Sequence, residues 1–236
     1  MNSNMKNLYK LMKIQCMDLL VLLEMESNGI LFHTESALEY ASKLQEQLDE
    51  LLYKFQQILN SDIPSITSND DISTILYGGT IIETIRIPIG HYKSGAKLGE
   101  VRYKIEKIEH TFPQLVKPLK DTETKKSNNR IVDGKAEQHT QWEVNEPVLR
   151  KLKATGDARK IIDIILEYSK LEKLRGTYLQ GYSDLISKMG WQHNMLHGGL
   201  NQCVAVTGRL SSTKPNLQNA DKNTKKFMKT RYDNPS

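Results

Sequence analysis

Cysteine is nearly absent from this sequence. Of 236 residues only Cys16 and Cys203 carry a thiol, far apart and without a second pair, which argues against a disulfide framework or a thiolate zinc site and suits a reducing compartment. Long apolar runs are missing as well. The longest, residues 19–23, is far short of the roughly 18 residues that a bilayer span requires, and no cleavage region of the signal-peptide kind accompanies it. Neither a membrane role nor export is expected. Acidic residues are outnumbered, 28 against 33 Lys and Arg, so the formal net charge is +5. That excess suits a polyanionic partner without demanding one. No internal repeat is present.

Hydrophobic residues at 38% and charged residues at 26% describe a soluble chain with a wet surface, long enough for one large domain or for one domain and part of another. Leu8, Leu11, Met12, Leu19, Leu22 and Leu23 recur at mostly helical spacing and predict a helix over 7–27, closed by Asn28 and Gly29, which tolerate the left-handed conformation. A second helix is expected to open at Thr34 or at Ser36, the latter offering a capping box with Glu39. Its Ala37, Ala41, Leu44, Leu48, Leu51, Phe55 and Ile58 alternate in steps of four and three, a narrow seam that must pack lengthwise on another helix. Ile161, Ile165, Tyr168, Leu171, Leu174 and Tyr178 trace a matching stripe after Asp157, so the two helices are expected to form a long antiparallel pair.

Between them the texture changes. Ile85, Ile87 and Ile89 alternate with Arg86 and Pro88, and Val101, Tyr103 and Ile105 alternate with Arg102 and Lys104, which predicts two strands around a glycine-rich loop, the first an edge strand because of Pro88. Residues 117–141 are polar and read as an exposed loop. The fold class expected is α+β, mostly α. Two tempting motifs fail on their own chemistry. In Gly90 to Lys97 the lysine stands one residue late for a phosphate loop and no hydroxyl residue follows it. His193 and His197 have the spacing of a helical zinc pair, but Asn194 stands where a catalytic glutamate belongs and Gly198-Gly199 opposes a helix.

One run carries more information than the rest: Thr207-Gly208-Arg209-Leu210-Ser211-Ser212, then Pro215-Asn216-Leu217-Gln218-Asn219. It resembles a signature of family A (polymerase I-like) DNA polymerases, and in particular of their phage members. Four other stretches resemble the same family in the same order. They are Met17 to Phe32, the thumb-tip-like Ser68-Asn69 to Gly78-Gly79, the insertion-like Lys93 to Glu100, and Glu167-Tyr168 to Thr177-Tyr178. His197-Gly198 and Asn201 also match the strand leading into the signature, and Phe227 to Asp233 resembles the last stretch before the first metal-binding strand.

The resemblance implies long antiparallel thumb helices with a small β insertion, followed by β strands of the palm edge. Residues 1–179 would be a thumb subdomain with an insertion at about 80–141, and residues 180–236 the start of a palm that ends before the catalytic carboxylates. It implies contact with the DNA backbone through Ser68, Asn69, Lys170, Lys173 and Arg175, with Lys170 replacing a basic residue that the family carries where Ser169 stands. Such a grip on phosphates is independent of base sequence. It further implies that Arg209, Asn216 and Gln218 meet the minor groove at the primer terminus and help to position the incoming nucleotide. Acceptors lie there in nearly the same place for every correct pair, so a donor tests pairing geometry.

No catalytic residue and no metal ligand is expected in this chain. The Mg2+ ions of the complete polymerase would be held by carboxylates elsewhere. The partners implied are primer-template DNA, a complementary chain carrying the rest of palm and fingers, and a dNTP in the assembled enzyme, in the cytoplasm of an infected bacterial host. Strands near residues 194–210 are expected to stay unpaired until that complement arrives. The alternatives are a stand-alone DNA-binding accessory module and a non-functional truncation product.

Overall fold

The computed structural model describes residues 3–61, 66–92, 99–120, 123–126, 131–132, 135–136, 139–202 and 204–230. Of the sequence features above, Cys203, most of the Lys93 to Glu100 stretch, and the end of the Phe227 to Asp233 stretch lie outside those residues. The fold is mixed α and β with small antiparallel sheets, and the chain divides into two compact units, residues 1–48 with 170–236, and residues 49–169.

The first unit begins with helix α1 (Ser3–Asn28), stopped by Gly29 at φ 64°. A side chain at Gly29 would come within 2.9 Å of the His197 ring, so both conformation and space require glycine there. Strand β1 (Ile30–Phe32) follows, and helix α2 (Thr34–Leu59) starts earlier than the Ser36 capping box would place it. The backbone N–H of Ala37 already donates to the carbonyl of His33, which leaves Ser36 inside the first turn. The predicted seam is real: Ala37, Ala41 and Leu44 are buried with Phe32, Leu174, Leu179, Tyr182, Ile186 and Leu196. Phe32 meets Tyr182 edge-on at 5.7 Å.

Residues Lys173–Gln180 form a π-helical segment that runs into helix α6 (Gly181–Met189), closed by Gly190 at φ 65°. The unit is completed by β8 (Met195–Leu196), β9 (Gly199–Asn201), β10 (Ser211–Thr213), helix α7 (Lys222–Lys225) and β11 (Met228–Lys229). The expectation of unpaired strands near residues 194–210 is corrected here. β8 pairs with β1, which also pairs with β11, and β9 pairs with β10. Each nevertheless keeps one edge with no strand beside it among the described residues, β8 on the side away from β1, β9 and β10 on the sides away from each other.

The second unit contains helix α3 (Asn69–Tyr77), helix α4 (Glu146–Lys151) and helix α5 (Asp157–Glu172). The later turns of α2 supply Phe55 to its core, shared with Ile66, Ile72, Ile75, Leu76, Phe112, Leu149 and the α5 residues Ile161, Ile162 and Ile165. Strands β2 (Gly79–His91) and β3 (Val101–Phe112) form the expected hairpin. Its register pairs Ile85 with Glu106, Ile87 with Lys104, Arg86 with Ile105 and Pro88 with Tyr103. Cross-strand partners share a face, so the two apolar rows point to opposite sides, and much of the hairpin stays exposed.

The loop expected over 117–141 is also corrected. β4 (Glu123–Lys126) pairs with β7 (His139–Trp142), and β5 (Ile131–Val132) pairs with β6 (Lys135–Ala136). Backbone pairing needs no apolar side chains, which is why a polar stretch can build a ladder that hydropathy does not announce.

Candidate nucleic-acid interface

Arg209 sits in the turn between β9 and β10. The pairing of Ser211 with Asn201, Ser212 with Leu200 and Thr213 with Gly199 closes this turn from below. Within it Gly208, at φ 70°, donates its N–H to the carbonyl of Ala205 at 2.9 Å. Arg209 is exposed, and its guanidinium has no hydrogen bond or ion pair among the described residues. It is a charged donor held out on a built turn.

The segment after β10 is folded back against that turn. Buried Ser212 donates its hydroxyl to the carbonyl of Pro215 at 3.2 Å and accepts the N–H of Leu217 at 3.2 Å. Asn216 caps a single 3-10 turn, Leu217–Asn219, by accepting the N–H of Gln218. Gln218 donates its side-chain amide to the carbonyl of Leu210. Tyr178, from the π-helical segment, donates its hydroxyl to the carbonyl of Asn219 at 2.9 Å. Gly198 lies under this turn so closely that a Cβ would meet a Leu217 methyl at 2.9 Å and the Pro215 carbonyl at 3.0 Å. Arg209, Asn216 and Gln218 therefore belong to one braced assembly. All three side chains are exposed.

The other side of β9 is anchored by α1. The Glu26 carboxylate accepts the N–H of Leu200, and His197 donates from Nδ1 to the Glu26 carbonyl at 2.8 Å, which fixes the proton on that nitrogen. Trp191 packs edge-on against the His197 ring at 5.2 Å. Ser212 and Tyr178 stand in stretches named above, but their bracing roles and that of Glu26 are not legible there, because one hydroxyl or carboxylate with a backbone partner leaves no periodic trace.

The residues expected on the DNA backbone sort differently once placed in the structure. Lys170 and Lys173 are exposed with no partner among the described residues. Arg175 is half-buried, and its guanidinium is held by Glu172 at 2.8 to 3.0 Å and by Gln180 at 3.1 Å. Its charge is neutralised in place and most of its donors are used. Ser68 caps α3 by accepting the N–H of Asp71 at 3.3 Å, and exposed Asn69 is the first helical residue. Both stand in the second unit. There Asp70 and Asp71 occupy the first turn of α3, where they complement the helix dipole and oppose a phosphate.

Beyond those candidates, exposed Lys214, Lys222, Lys225, Lys226 and Lys229 cluster in sequence around the Arg209 assembly, with Asp221 as the one acid among them. Asp221 is engaged in capping α7. The chemistry available to this surface is therefore recognition of an anionic backbone together with donor contacts from Arg209, Asn216 and Gln218. Among the described residues no three His, Cys, Asp or Glu side chains come together to hold a metal ion. No described helix is long and apolar enough to cross a membrane.

Several known proteins resemble this chain in sequence or in fold. The chain is 40% identical over 80 residues to DNA polymerase I of Bacillus subtilis and 44% identical over 68 residues to the thermostable DNA polymerase I of Thermus aquaticus. These stretches cover 34% and 29% of the chain but only 8% of either relative. Among solved structures, the POL domain of Pol1 from M. smegmatis, in complex with DNA primer-template and dNTP, is similar in fold with a TM-score of 0.52 at 17% identity. That likeness takes in 87% of this chain and 27% of the other. The model of DNA polymerase family A matches residues 114–232, half of the chain and all of the braced assembly around Arg209, and the chain belongs to that family.

Proposed function

We propose that this chain is the thumb and the leading palm edge of a DNA-directed DNA polymerase of the phage type, residues 1–179 forming the thumb and residues 180–236 opening the palm. It grips primer-template DNA and leaves nucleotidyl transfer to a complementary chain that carries the rest of palm and fingers. A polymerase gene divided into separate reading frames, expressed in an infected bacterial host, would yield such a pair. The observation that carries this reading is the exposed Arg209 on a turn braced by Gln218, Ser212 and Tyr178. A guanidinium presented from a braced turn can meet the purine N3 and pyrimidine O2 acceptors that every correct pair presents in the minor groove.

Lys170 and Lys173, exposed on one helical stretch, supply contacts to phosphates, whose worth falls steeply with salt. Asn216 and Gln218 retain N–H groups beyond those used inside the turn and add uncharged donors. Arg175 shapes the π-helical segment more than it touches DNA, because Glu172 and Gln180 already occupy it. The Mg2+ ions of the complete enzyme belong to the complementary chain, while the dNTP binds in the assembled enzyme, where Arg209, Asn216 and Gln218 help to position it.

The test is primer extension with Mg2+ and four dNTPs, using this chain alone and mixed with the polypeptide encoded directly downstream. Synthesis only in the mixture is the expected result. No synthesis by a mixture of demonstrably folded chains, with DNA binding by this chain retained, would replace this reading by a stand-alone DNA-binding module.

A further inference from the structure

Helix α1 is exposed along most of its described length. Eleven of its described apolar side chains are more than half exposed, among them Leu8 at 57%, Leu11 at 52%, Leu20 at 69%, Val21 at 56% and Leu23 at 62%. At 100° per residue these positions do not form one stripe. Leu8, Leu11, Leu20 and Leu23 lie along a broad arc, Val21 and Ile14 stand on another side, and Lys10, Lys13 and Glu24 fill the narrow gap. Gln15 and Asp18 interrupt the apolar positions, yet apolar side chains reach most of the circumference, and a helix of that kind belongs inside a larger protein body. A second copy of the same helix would cover one stripe only. A lipid surface calls for a wide, strongly charged face opposite the apolar one, and α1 has none.

Two further features lie beside the helix in the same unit. A groove of about 370 Å³ opens between Gln15, Asp18, Val21 and Leu22 of α1 and Gln202, Gly208 and Leu210. β8 stands at the edge of its three-stranded sheet and so presents one row of backbone groups for a further strand. The solved polymerase that shares this fold has nearly three quarters of its chain without a counterpart here, which is body enough to enclose a helix.

We propose that α1 and this groove are the docking surface for the complementary polymerase chain, with α1 inserted into an apolar trough of that partner. The inference rests on the proposed function and adds where the two chains meet. A partner seated on α1 fills the groove lined by Gly208 and Leu210, and so packs against the residues on either side of Arg209. Docking would then fix the Arg209 turn as well as join the chains.

The test uses the whole chain and a tagged copy of the polypeptide encoded directly downstream. Leu11→Glu/Leu20→Glu/Leu23→Glu changes only exposed side chains and should keep the helical circular dichroism of the parent. Leu20→Glu alone serves as a milder variant should the triple one lose structure. The expected result is association by the parent, at least about a hundredfold weaker binding by the triple variant, and a smaller loss in the same direction by the single one. Tyr103→Glu/Ile105→Glu, on the hairpin at similar exposure, should bind as the parent does. Parent and α1 variants binding equally would overturn the docking surface and leave the split enzyme standing. A parent that does not bind the complement overturns both. A parent that self-associates, and becomes monomeric in the triple variant without binding the complement, assigns α1 to a second copy instead.

Discussion

Gln218 reaches back to Leu210, its side-chain amide donating to the Leu210 carbonyl at 3.2 Å, so the residue that follows Arg209 is fastened to the turn that follows Pro215. Asn216 closes the same turn on the N–H of Gln218. The three polar side chains expected at the primer terminus thus differ in kind. Asn216 and Gln218 spend part of their hydrogen-bonding capacity holding the assembly, while Arg209 spends none among the described residues.

Arg209→Ala should leave the fold intact, since an exposed, unpaired guanidinium supports little. In the assembled enzyme it should lower extension by about two orders of magnitude while primer-template affinity falls less than about threefold, because a donor aimed at the paired terminus acts on the reacting geometry more than on the grip. Steady-state extension beside equilibrium DNA binding checks this. Equal losses in both would remove Arg209 from the role assigned to it.

Lys173 and Arg175 stand two residues apart and should answer substitution in opposite ways. Lys173→Ala removes an exposed charge, so stability should move by no more than about 0.5 kcal/mol, and the slope of log affinity for DNA against log salt should shrink by about one. Arg175→Ala leaves the half-buried Glu172 carboxylate without its partner. It should destabilise the chain by about 1 to 3 kcal/mol with little change in the salt slope. Denaturant unfolding and a salt titration of DNA binding separate the two, and a salt slope that responds to Arg175 as it does to Lys173 would return Arg175 to the phosphate-binding set.

How much of this was legible in the residues depends on what each feature needs. The seam of α2 is written in the spacing of Ala37 to Phe55, and burial follows it. The hairpin of β2 and β3 is written in alternation, but its register is not. That Ile85 faces Glu106 rather than Val101 or Ile105 depends on where the turn falls, and alternation alone leaves both choices open. The ladders within residues 123–142 are silent in hydropathy, since polar residues can pair backbones as well as apolar ones. For the site, the Thr-Gly-Arg run named Arg209, Asn216 and Gln218 in one stretch of sequence, and the folded chain brings that stretch together through the bonds of Asn216 and Gln218. The brace from Tyr178 to Asn219, 41 residues apart, and the capture of Arg175 by Glu172 appear only when the chain is folded.

Tyr182 sets an alkaline limit on stability. Its phenol is pushed up to about 12 by burial, with the neighbouring Tyr178 adding to the shift, against an ordinary value of 10.0. Above pH 10 an unfolded chain gives up a proton that the folded chain keeps. The stabilisation is therefore complete below pH 10 and is lost as pH rises through about 12. Tyr77, also raised by burial, contributes with the same sign. The Tyr182 hydroxyl is buried without a hydrogen-bond partner among the described residues. Tyr182→Phe should then be neutral or stabilising by about 1 kcal/mol at pH 8 and should flatten the fall in stability between about pH 10 and 12 without abolishing it. Denaturant midpoints across that range decide the matter, and an unchanged slope would mean that Tyr182 titrates in the folded chain as it does in the unfolded one.

Gly198 tests whether the brace matters beyond its own stability. Its conformation is open to any residue, as its φ is not positive, so an effect of Gly198→Ala must come from space alone. The added Cβ would stand 2.9 Å from a Leu217 methyl, which can turn aside, and 3.0 Å from the Pro215 carbonyl, which cannot move without the turn. That carbonyl is also the acceptor of Ser212, so displacing it loosens a bond to a buried hydroxyl. Gly198→Ala should destabilise by about 1 to 3 kcal/mol, the usual cost of forcing volume into a packed place. By shifting Asn216 and Gln218 it should also slow extension by the assembled enzyme about tenfold while the salt slope of DNA binding stays at the parent's value. Gly156→Ala is the counterpart: φ is +62° there but no atom lies within 4 Å of the added carbon. It should cost about 1 kcal/mol through backbone strain and leave extension untouched. If both variants slowed extension in proportion to the stability they lose, the turn under Gly198 would be scaffolding and not part of the terminus-sensing surface.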